Sequence, residues 1–272
     1  RTLGCMSLST SKTSCREGYQ PLMPGIFHLN FPYEGKADQI CDDLDNMLAR
    51  ATNPNETAAI LLEPILGEGG VYKADTDFVK YVREICDKHN IMRISDEVQT
   101  GVGRTGKWWG YEHFGVDPDI ITFGKGIASG FPFAGIVSNY SNYEKIQDNG
   151  LGGTYNGNVI ACSAANATID ILNSENLIEE SEGKGVLIAN KITALNHPLV
   201  NEVRQYGLMI AIELNVDTDK FRKIMQDAEN HNLLLLTTGI HSTIRLLPPL
   251  NISVDEINYF IDKLAILLNS HK

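Results

Sequence analysis

The sequence predicts an α/β fold in which the larger part of the chain forms a mostly parallel sheet. Short apolar runs occupy residues 58–62, 91–95 and 120–123, and the first two are followed directly by carboxylates. Such runs are typical of parallel strands that are buried on both faces. An amphipathic segment at residues 75–90 separates the first two runs, and this alternation of strand and helix is typical of α/β domains.

Helical spacing of apolar residues predicts the other main elements. The segment at residues 75–90 carries Phe78, Val82 and Ile85 on one face, as an amphipathic helix does. The last helix is predicted to begin at Ser253, where Glu256 completes a capping-box pattern. Residues 1–35 are rich in Gly, Pro, Ser and Tyr and are predicted to be loop. The remaining predicted elements are helices at 38–50, 158–173 and from the 180s to 195, and strands at 134–138, near 202–214, 233–236 and 243–247.

The pattern of elements changes near residue 157, where a long helix follows the first group of strands. We therefore predict a large domain at residues 1–157 and a smaller α/β domain at residues 158–272, with the connecting helix in the second. The chain begins with Arg1 rather than Met, in sequence that resembles the middle of a domain. We expect a fragment of a longer protein whose N-terminal part is missing.

Composition and charge exclude several classes of protein. The net charge of −11 argues against nucleic-acid binding, which needs clustered Lys and Arg. No apolar run approaches the roughly 20 residues that span a bilayer, and the first residues lack the apolar segment of a signal peptide. The five cysteines show no metal-ligand spacing. We therefore expect no metal, and reduced thiols in the cytoplasm, or in the mitochondrial matrix of a eukaryotic source.

Polar side chains follow three of the predicted strands. Glu63 and Asp96 come directly after apolar runs, and Lys125 follows the next run after a single glycine. In open α/β sheets, ligands bind beyond the carboxyl ends of the strands. The sequence therefore predicts a site at this edge.

The chemistry of pyridoxal phosphate needs two of these residue types. An amine must form an imine with its aldehyde, and a carboxylate must keep its pyridine nitrogen protonated. Lys125 and Asp96 meet these needs, and the glycines beside Lys125 allow a cofactor to approach the backbone closely. Taken singly, Lys125 also fits a solvated surface lysine, and Asp96 fits a helix cap.

A long segment and several shorter motifs carry a family resemblance. The string SDEVQTGVGRTGKWWGYEHFGVDPDIITFGKGIASGFPFAG, with EPILGEGG, GLGGTYNGN and RLLPPL in order, resembles the class III, or ω-, aminotransferases, and among them the 4-aminobutyrate aminotransferase group. The resemblance covers essentially the whole chain. It implies the type I fold of pyridoxal-phosphate-dependent transferases, with a mostly parallel sheet in a large cofactor-binding domain and a smaller α/β C-terminal domain.

The resemblance also implies a cofactor and a reaction. The cofactor is pyridoxal 5'-phosphate, and the reaction is transamination of an ω-amino acid such as 4-aminobutyrate with a 2-oxo acid such as 2-oxoglutarate. Ornithine, acetylornithine, β-alanine and alanine–glyoxylate activities are alternatives within the family, as are an aminomutase and a decarboxylase. A non-catalytic, truncated relative is a further alternative.

Residue by residue, the resemblance assigns roles around the cofactor. Lys125 resembles the Schiff-base lysine, which also moves the proton between the substrate Cα and the cofactor C4′. Asp96 resembles the partner of the pyridinium nitrogen. Val98 resembles the residue against the ring face, and Gln99 the residue near the ring 3-hydroxyl. Thr154 resembles the threonine that reaches the phosphate of the other subunit, which implies a homodimer with shared active sites.

The substrate pocket is assigned in the same way. Glu63, Glu68 and Arg245 resemble the acidic and basic groups that shape it, and Arg1 falls where ω-selective members keep a carboxylate-binding arginine. We predict that Glu68 and Arg245 form a switchable ion pair, and that the glycines around Glu68 give its loop freedom to move. A permanent structural ion pair is the alternative. Ordinary structural roles also fit several of the assigned residues. Glu63 fits a residue that caps a strand end, Val98 fits a core residue, and Thr154 fits a residue that fixes a turn.

The sequence departs from the family pattern at two points and contains one motif of a different enzyme class. The phosphate-binding turn and N-terminal arm of the family lie upstream of this chain, and Gln205 stands where a glycine is expected, which predicts an altered turn. Residues 101–106 match GxGxxG, so a dinucleotide-binding oxidoreductase is a rival. That motif needs a strand directly before it and a helix directly after it, and the sequence predicts neither.

Overall fold

A computed structural model describes residues 2–144, 146, 150–239 and 241–272 of the chain. It contains two four-stranded sheets, with strand orders β1-β2-β3-β4 and β5-β6-β8-β7. The strands are β1 (Ala59–Leu62), β2 (Met92–Asp96), β3 (Ile120–Phe123), β4 (Gly135–Ser138), β5 (Val200–Tyr206), β6 (Met209–Leu214), β7 (Leu236–Thr237) and β8 (Thr243–Leu246). The α-helices are α1 (Leu3–Leu8), α2 (Ala37–Arg50), α3 (Thr76–His89), α4 (Tyr140–Tyr143), α5 (Val159–Ser174), α6 (Leu177–Ala194), α7 (Thr218–Asp227) and α8 (Val254–Asn269).

The first sheet brings three carboxyl ends of strands to one edge. β1 pairs in parallel with β2, and β2 pairs in parallel with β3, whereas β4 runs antiparallel to β3. The mostly parallel sheet that the sequence predicts is therefore present. Because parallel strands end on the same side, the residues that follow β1, β2 and β3 meet there.

Helices α2 and α3 cover the first sheet through one apolar cluster. Leu44 of α2 and Phe78 and Val82 of α3 are buried together in it. Asp75 begins α3, because its carboxylate accepts hydrogen bonds from two backbone N–H groups of the first turn. Asn90 ends the helix in a left-handed conformation, as asparagine often does at this position.

The second sheet is antiparallel throughout, and helices α6 and α8 pack against it around the largest apolar cluster. The strand predicted near 233–236 is wrong in position, since the observed strand β7 begins at Leu236. Leu233 instead enters the core just after a left-handed Asn232, which ends a short 3-10 helix. The hairpin between β5 and β6 turns at Gly207, and Gln205 lies inside β5, where its Nε2 donates to the Gly207 carbonyl at 3.0 Å. The altered turn expected from Gln205 stays a prediction.

The N-terminal segment is more regular than the loop predicted for residues 1–35. It contains α1 and a 3-10 helix at Thr13–Cys15. Ser7 is buried, donates to the Leu3 carbonyl at 2.7 Å and accepts from the Met23 N–H at 3.0 Å. Periodicity missed α1 because a helix of six residues is too short to show an apolar face.

The connection between the two sheets involves α5. Ala165 of α5 is buried with Ile127 and Ala128, which belong to the 3-10 helix that follows β3. Helix α5 begins just beyond residue 157 but packs against the 3-10 helix that follows β3 of the first sheet. The domain boundary near residue 157 therefore remains a proposal. None of the described helices is long and apolar enough to cross a bilayer.

Candidate active site

Three of the predicted site residues meet at the carboxyl edge of the first sheet. Glu63 follows β1, Asp96 ends β2, and Lys125 follows β3. The charges of Asp96 and Glu63 both act on Lys125, which shows that the three side chains share one electrostatic environment.

Lys125 occupies an unusual backbone position. Its φ angle is 47°, in the left-handed region, and it begins a 3-10 helix that extends to Ala128. Loss of hydration lowers the pKa of its amine, the charge of Arg245 lowers it further, and Asp96 and Glu63 oppose the change. Lys125 is nevertheless exposed to solvent. A lowered pKa increases the fraction of neutral, nucleophilic amine.

Asp96 is oriented by its own neighbours. Its Oδ1 accepts hydrogen bonds from the Val98 N–H at 3.1 Å and from the Thr122 hydroxyl at 3.0 Å. Its Oδ2 accepts no hydrogen bond from the described residues, so one carboxylate oxygen is available to a ligand. Val98 lies beside this carboxylate, with its Cγ1 3.8 Å from where a Cβ on Gly124 would stand.

Glu97 anchors the loop that follows β2, a role that the sequence analysis missed. It is only 1% exposed and accepts hydrogen bonds from the hydroxyls of Ser95, at 2.9 Å, and Thr100, and from the N–H groups of Gly110, at 2.7 Å, and Tyr111, at 2.8 Å. These four donors balance the cost of burying its charge. The sequence shows a carboxylate at a strand end, but it does not show the donors Gly110 and Tyr111, which lie on a distant turn.

Glu63 faces the same edge from β1. The Gly67 N–H donates to its Oε2 at 3.0 Å. Burial raises the pKa of Glu63 and Asp96 raises it further, whereas the Gly67 hydrogen bond and the charge of Lys125 lower it. Glu63 therefore takes up a proton more readily than a free glutamate.

Glu68 and Arg245 form the ion pair that the sequence predicts. The Arg245 Nη1 lies 2.6 Å from Glu68 Oε1 and donates to Gln99 Oε1 at 3.0 Å. Arg245 comes from β8 of the second sheet and is 8% exposed. Its Nε is buried without a hydrogen-bond partner in the described part of the chain. The position of Gln99 on this arginine was not predicted.

Lys12 is a second cation on Glu68, and the sequence analysis did not identify it. Its Nζ lies 2.9 Å from Glu68 Oε2. Burial raises the pKa of Glu68, but the contacts with Lys12 and Arg245 outweigh this and lower it. Lys12 belongs to the segment predicted as loop, where one lysine among polar residues gives no local signal.

The glycines around Glu68 lie close to neighbouring groups. A Cβ on Gly67 would lie 2.2 Å from Gln99 Nε2, so a larger residue there requires the end of the Gln99 side chain to shift. The Gly239 N–H donates to the Glu68 carbonyl at 2.6 Å. The freedom of this loop to move stays a prediction.

Thr154 is not part of this cluster. Thr154 lies in an exposed loop, next to Tyr155, which is 85% exposed. Among the described residues it forms no hydrogen bond or ion pair with the other candidates. Arg1 lies outside the described residues.

The GxGxxG segment at residues 101–106 forms turns that pack against the second sheet. The Leu208 N–H donates to the Arg104 carbonyl at 2.9 Å, and the Arg104 guanidinium donates to the carbonyls of Leu208 and Pro248. The next described element is a 3-10 helix at Gly110–His113, not the α-helix that a dinucleotide site requires. These contacts argue against the oxidoreductase alternative.

Comparison with known proteins gives concordant matches. The sequence profile described as aminotransferase class-III matches residues 1–268. Ornithine aminotransferase 1 of Staphylococcus aureus strain MRSA252 is 38% identical, over 96% of this chain and 62% of its own length. A probable 4-aminobutyrate aminotransferase of Bacillus subtilis strain 168 is 34% identical, over 95% of this chain and 64% of its own length. This chain thus spans less than two thirds of these relatives.

Solved structures agree with the sequence matches. A Bacillus anthracis aminotransferase has a TM-score of 0.90 and 32% identity, over 99% of this chain and 66% of that one. The omega transaminase from Pseudomonas jessenii in complex with PMP has a TM-score of 0.91 and 28% identity, over 99% of this chain and 65% of that one. The shared fold is the type I fold of pyridoxal-phosphate-dependent transferases. The chain belongs to the class-III aminotransferase family.

Proposed function

We propose that the complete protein catalyses pyridoxal-phosphate-dependent transamination between an ω-amino acid and a 2-oxo acid such as 2-oxoglutarate. The proposal depends on one observation. Lys125 and Asp96 lie at the carboxyl edge of the first sheet, and the Glu68–Arg245 ion pair is close enough to act on Lys125. The first two residues suit the cofactor, and the pair suits substrates that bear carboxylates.

The residues present fit the cofactor. When bound, pyridoxal phosphate supplies an aldehyde that captures amino groups and a pyridinium that withdraws electrons from the bond to be broken. Lys125 provides the amine for attachment. Its lowered pKa increases the fraction of neutral amine, which is the form that reacts with an aldehyde. Asp96 Oδ2 is free to accept the pyridinium N–H. Val98 would support a ring face, and Gln99 would retain its Nε2 as a hydrogen-bond donor because its Oε1 already accepts from Arg245.

Lys125 also serves as the base of the reaction. The Lys125 amine would take the proton from the substrate carbon and hold it as an ammonium until the proton is returned. A base works best when its pKa lies near the working pH, and loss of hydration moves the lysine in that direction. Glu63 and Asp96 limit the change by attracting the ammonium form.

The Glu68–Arg245 pair addresses a conflict between the two substrates. An ω-amino acid presents a CH2 group beside its reacting amine, whereas 2-oxoglutarate presents a carboxylate there. A bare arginine suits the acid but leaves an unpaired, buried charge against the CH2 group. In our proposal Glu68 pairs with Arg245 for the amine and turns aside for the oxo acid, which Arg245 then binds with two parallel hydrogen bonds.

The identity of the amino donor is the least constrained part of the proposal. The relatives named above are an ornithine and a 4-aminobutyrate aminotransferase, so both donors are supported equally. β-Alanine and acetylornithine are further members of the class to test. All four share a primary amine at some distance from a carboxylate.

We also propose that the protein works as a homodimer. The loop that bears Thr154 is exposed, and Val159 and Ile160 at the start of α5 are 77% and 65% exposed. Apolar side chains of this size are expected to be covered in an assembly. Contact with a second copy would place Thr154 and the start of α5 near the partner's cofactor phosphate. Sedimentation of an active, cofactor-loaded monomer would refute this arrangement.

A half-reaction panel tests the proposed function. The full-length protein, loaded with pyridoxal phosphate, is mixed with each donor, and the cofactor absorbance is followed. Conversion by at least one ω-amine, reversed by 2-oxoglutarate, is the expected result. Failure of every amine to change the cofactor spectrum would favour the non-catalytic relative, and a product that keeps its amino group would indicate an aminomutase.

A further inference from the structure

The Glu68 carboxylate lies between two cations that come from distant parts of the chain. Lys12, near the N-terminus, contacts Oε2 at 2.9 Å, and Arg245, on β8, contacts Oε1 at 2.6 Å. Each cation has its own carboxylate oxygen, so neither contact depends on the other. A carboxylate held in this way keeps one partner when it loses the other.

The two cations differ in their surroundings. Lys12 is 32% exposed and Glu68 39% exposed, whereas Arg245 is 8% exposed and also donates to Gln99. The lysine side of the carboxylate therefore faces solvent, and the arginine side faces the site. When Glu68 leaves Arg245, Lys12 is the other cation already in contact with its carboxylate.

Lys12 is held in place by the segment that also holds Glu68. A Cβ on Gly239 would lie 2.8 Å from Lys12 Cε and 2.9 Å from its Cγ, so the lysine chain lies directly across this glycine. The same Gly239 donates its N–H to the Glu68 carbonyl. One stretch of backbone thus sets the distance between the lysine and the glutamate.

Moving Glu68 away from Arg245 would be unfavourable if the carboxylate lost its only cation, and Lys12 supplies a second one. Releasing Arg245 to a substrate would otherwise leave a half-buried carboxylate without a partner, which is unfavourable. A second cation that is already in contact removes most of that cost. We propose that Lys12 is a positioning residue that retains the Glu68 side chain whenever Arg245 binds the carboxylate of the 2-oxo acid.

The inference rests on the proposed function, and two other roles for Lys12 are distinguishable from it. In the first, the lysine binds the distal carboxylate of both substrates directly. In the second, it only fastens the N-terminal segment. The three roles differ in which half-reaction depends on the lysine and in whether that dependence needs Glu68.

The test compares both half-reactions in the full-length, cofactor-loaded protein and its Lys12→Met variant. We expect kcat/KM for the 2-oxo acid to fall by about fivefold, the size of a strong partly exposed ion pair, and the ω-amine half-reaction to change by less than about twofold. Lys12→Arg should restore the oxo-acid half-reaction. Lys223→Met, on the exposed face of α7, is the matched control for loss of one surface charge.

A second arm asks whether the effect passes through Glu68. In a Glu68→Gln background, Lys12→Met should no longer affect the oxo-acid half-reaction, and thermal unfolding of the cofactor-free proteins should show that the two substitutions are not additive. Equal losses in both half-reactions that persist in this background would assign Lys12 to the substrate carboxylate. Unchanged kinetics in Lys12→Met would also overturn the inference. If the wild-type protein performs neither half-reaction, the proposed function itself fails.

Discussion

The carboxylate of Asp96 is fixed by its immediate neighbours, whereas the carboxylate of Glu68 is shared between two cations from distant parts of the chain. Asp96 accepts from a backbone N–H and from Thr122, and the buried Glu97 ties down the loop that follows. Glu68 is partly exposed, and both of its partners are long, charged side chains. In the proposed function, this contrast makes one half of the site rigid, for the cofactor, and the other half adjustable, for two substrates.

The backbone beneath both halves is equally constrained. The loop of Glu68 is held by Gly239, and the Arg204 Nε donates to the Gly70 carbonyl at 3.1 Å. Arg204 in turn contacts Glu213 at 2.8 Å and lies over the Tyr72 ring. What differs is therefore the freedom of side chains, and the following predictions test that difference.

The largest effect is expected at the rigid half. Lys125→Ala removes both the attachment amine and the base, so transamination should fall by at least about a thousandfold, within the range of lost proton-transfer catalysis. Circular dichroism and thermal unfolding should remain near wild type. Ordinary turnover in this variant would remove Lys125 from the mechanism.

Asp96→Asn should weaken cofactor binding. An amide keeps the shape of the side chain but loses the charge that holds a pyridinium, and a charged hydrogen bond is worth about 1.5–3 kcal/mol. We therefore expect roughly ten- to hundredfold faster loss of cofactor, followed by absorbance after gel filtration. Asp219→Asn, on the exposed start of α7, controls for the change of charge.

At the adjustable half, the two partners should affect opposite half-reactions. Arg245→Ala should damage the oxo-acid half-reaction by about 2 kcal/mol or more, because a charge-assisted pair with the substrate is lost. Glu68→Ala should harm mainly the ω-amine half-reaction, because Arg245 is left uncompensated. Equal losses in both halves for both variants would leave a permanent structural ion pair as the correct interpretation.

Gly67→Ala tests whether the glycine loop is packed rather than mobile. The new Cβ would overlap Gln99, so the free energy of unfolding should fall by about 1–3 kcal/mol, as in overpacked cores. Gly183→Ala is the matched control, since nothing lies within 4 Å of its Cβ position in α6. Helix propensity should make that control more stable by up to about 1 kcal/mol. Denaturant unfolding measures both.

The smallest expected effect is the pH dependence of the Glu68 contribution. Its pKa in the folded protein lies below the ordinary value of 4.5. The stability from this lowered pKa is fully present above pH 4.5 and is lost as the pH falls through the lower folded value. Because Glu68 is partly exposed, the loss should be less than about 1 kcal/mol. Urea unfolding at neutral and acid pH should show a slightly shallower acid dependence in Glu68→Gln.

The sequence predicts those features that local patterns encode. Ile120–Phe123 has the observed bounds, and the strand-end positions of Glu63, Asp96 and Lys125 follow from the apolar runs before them. The meeting of Glu68 with Arg245 was available only through the family resemblance, because the two lie on different sheets. Lys12 gave no signal at all.

The failures have a common physical cause. Strand β7 and helix α1 are too short to show a period, so tertiary packing decides them. The hydrogen bonds of Glu97 join residues whose proximity only the folded turn creates.

The left-handed backbone of Lys125 lowers the stability of the fold at a position where the proposed reaction needs a lysine. A residue with a Cβ costs roughly 1–2 kcal/mol in this conformation, and glycine avoids that cost. Lys125→Gly should therefore fold more stably than Lys125→Ala and, in the absence of cofactor, more stably than the native chain. A ligand that binds only the folded protein adds stability by mass action, so cofactor binding would offset the cost of this strain.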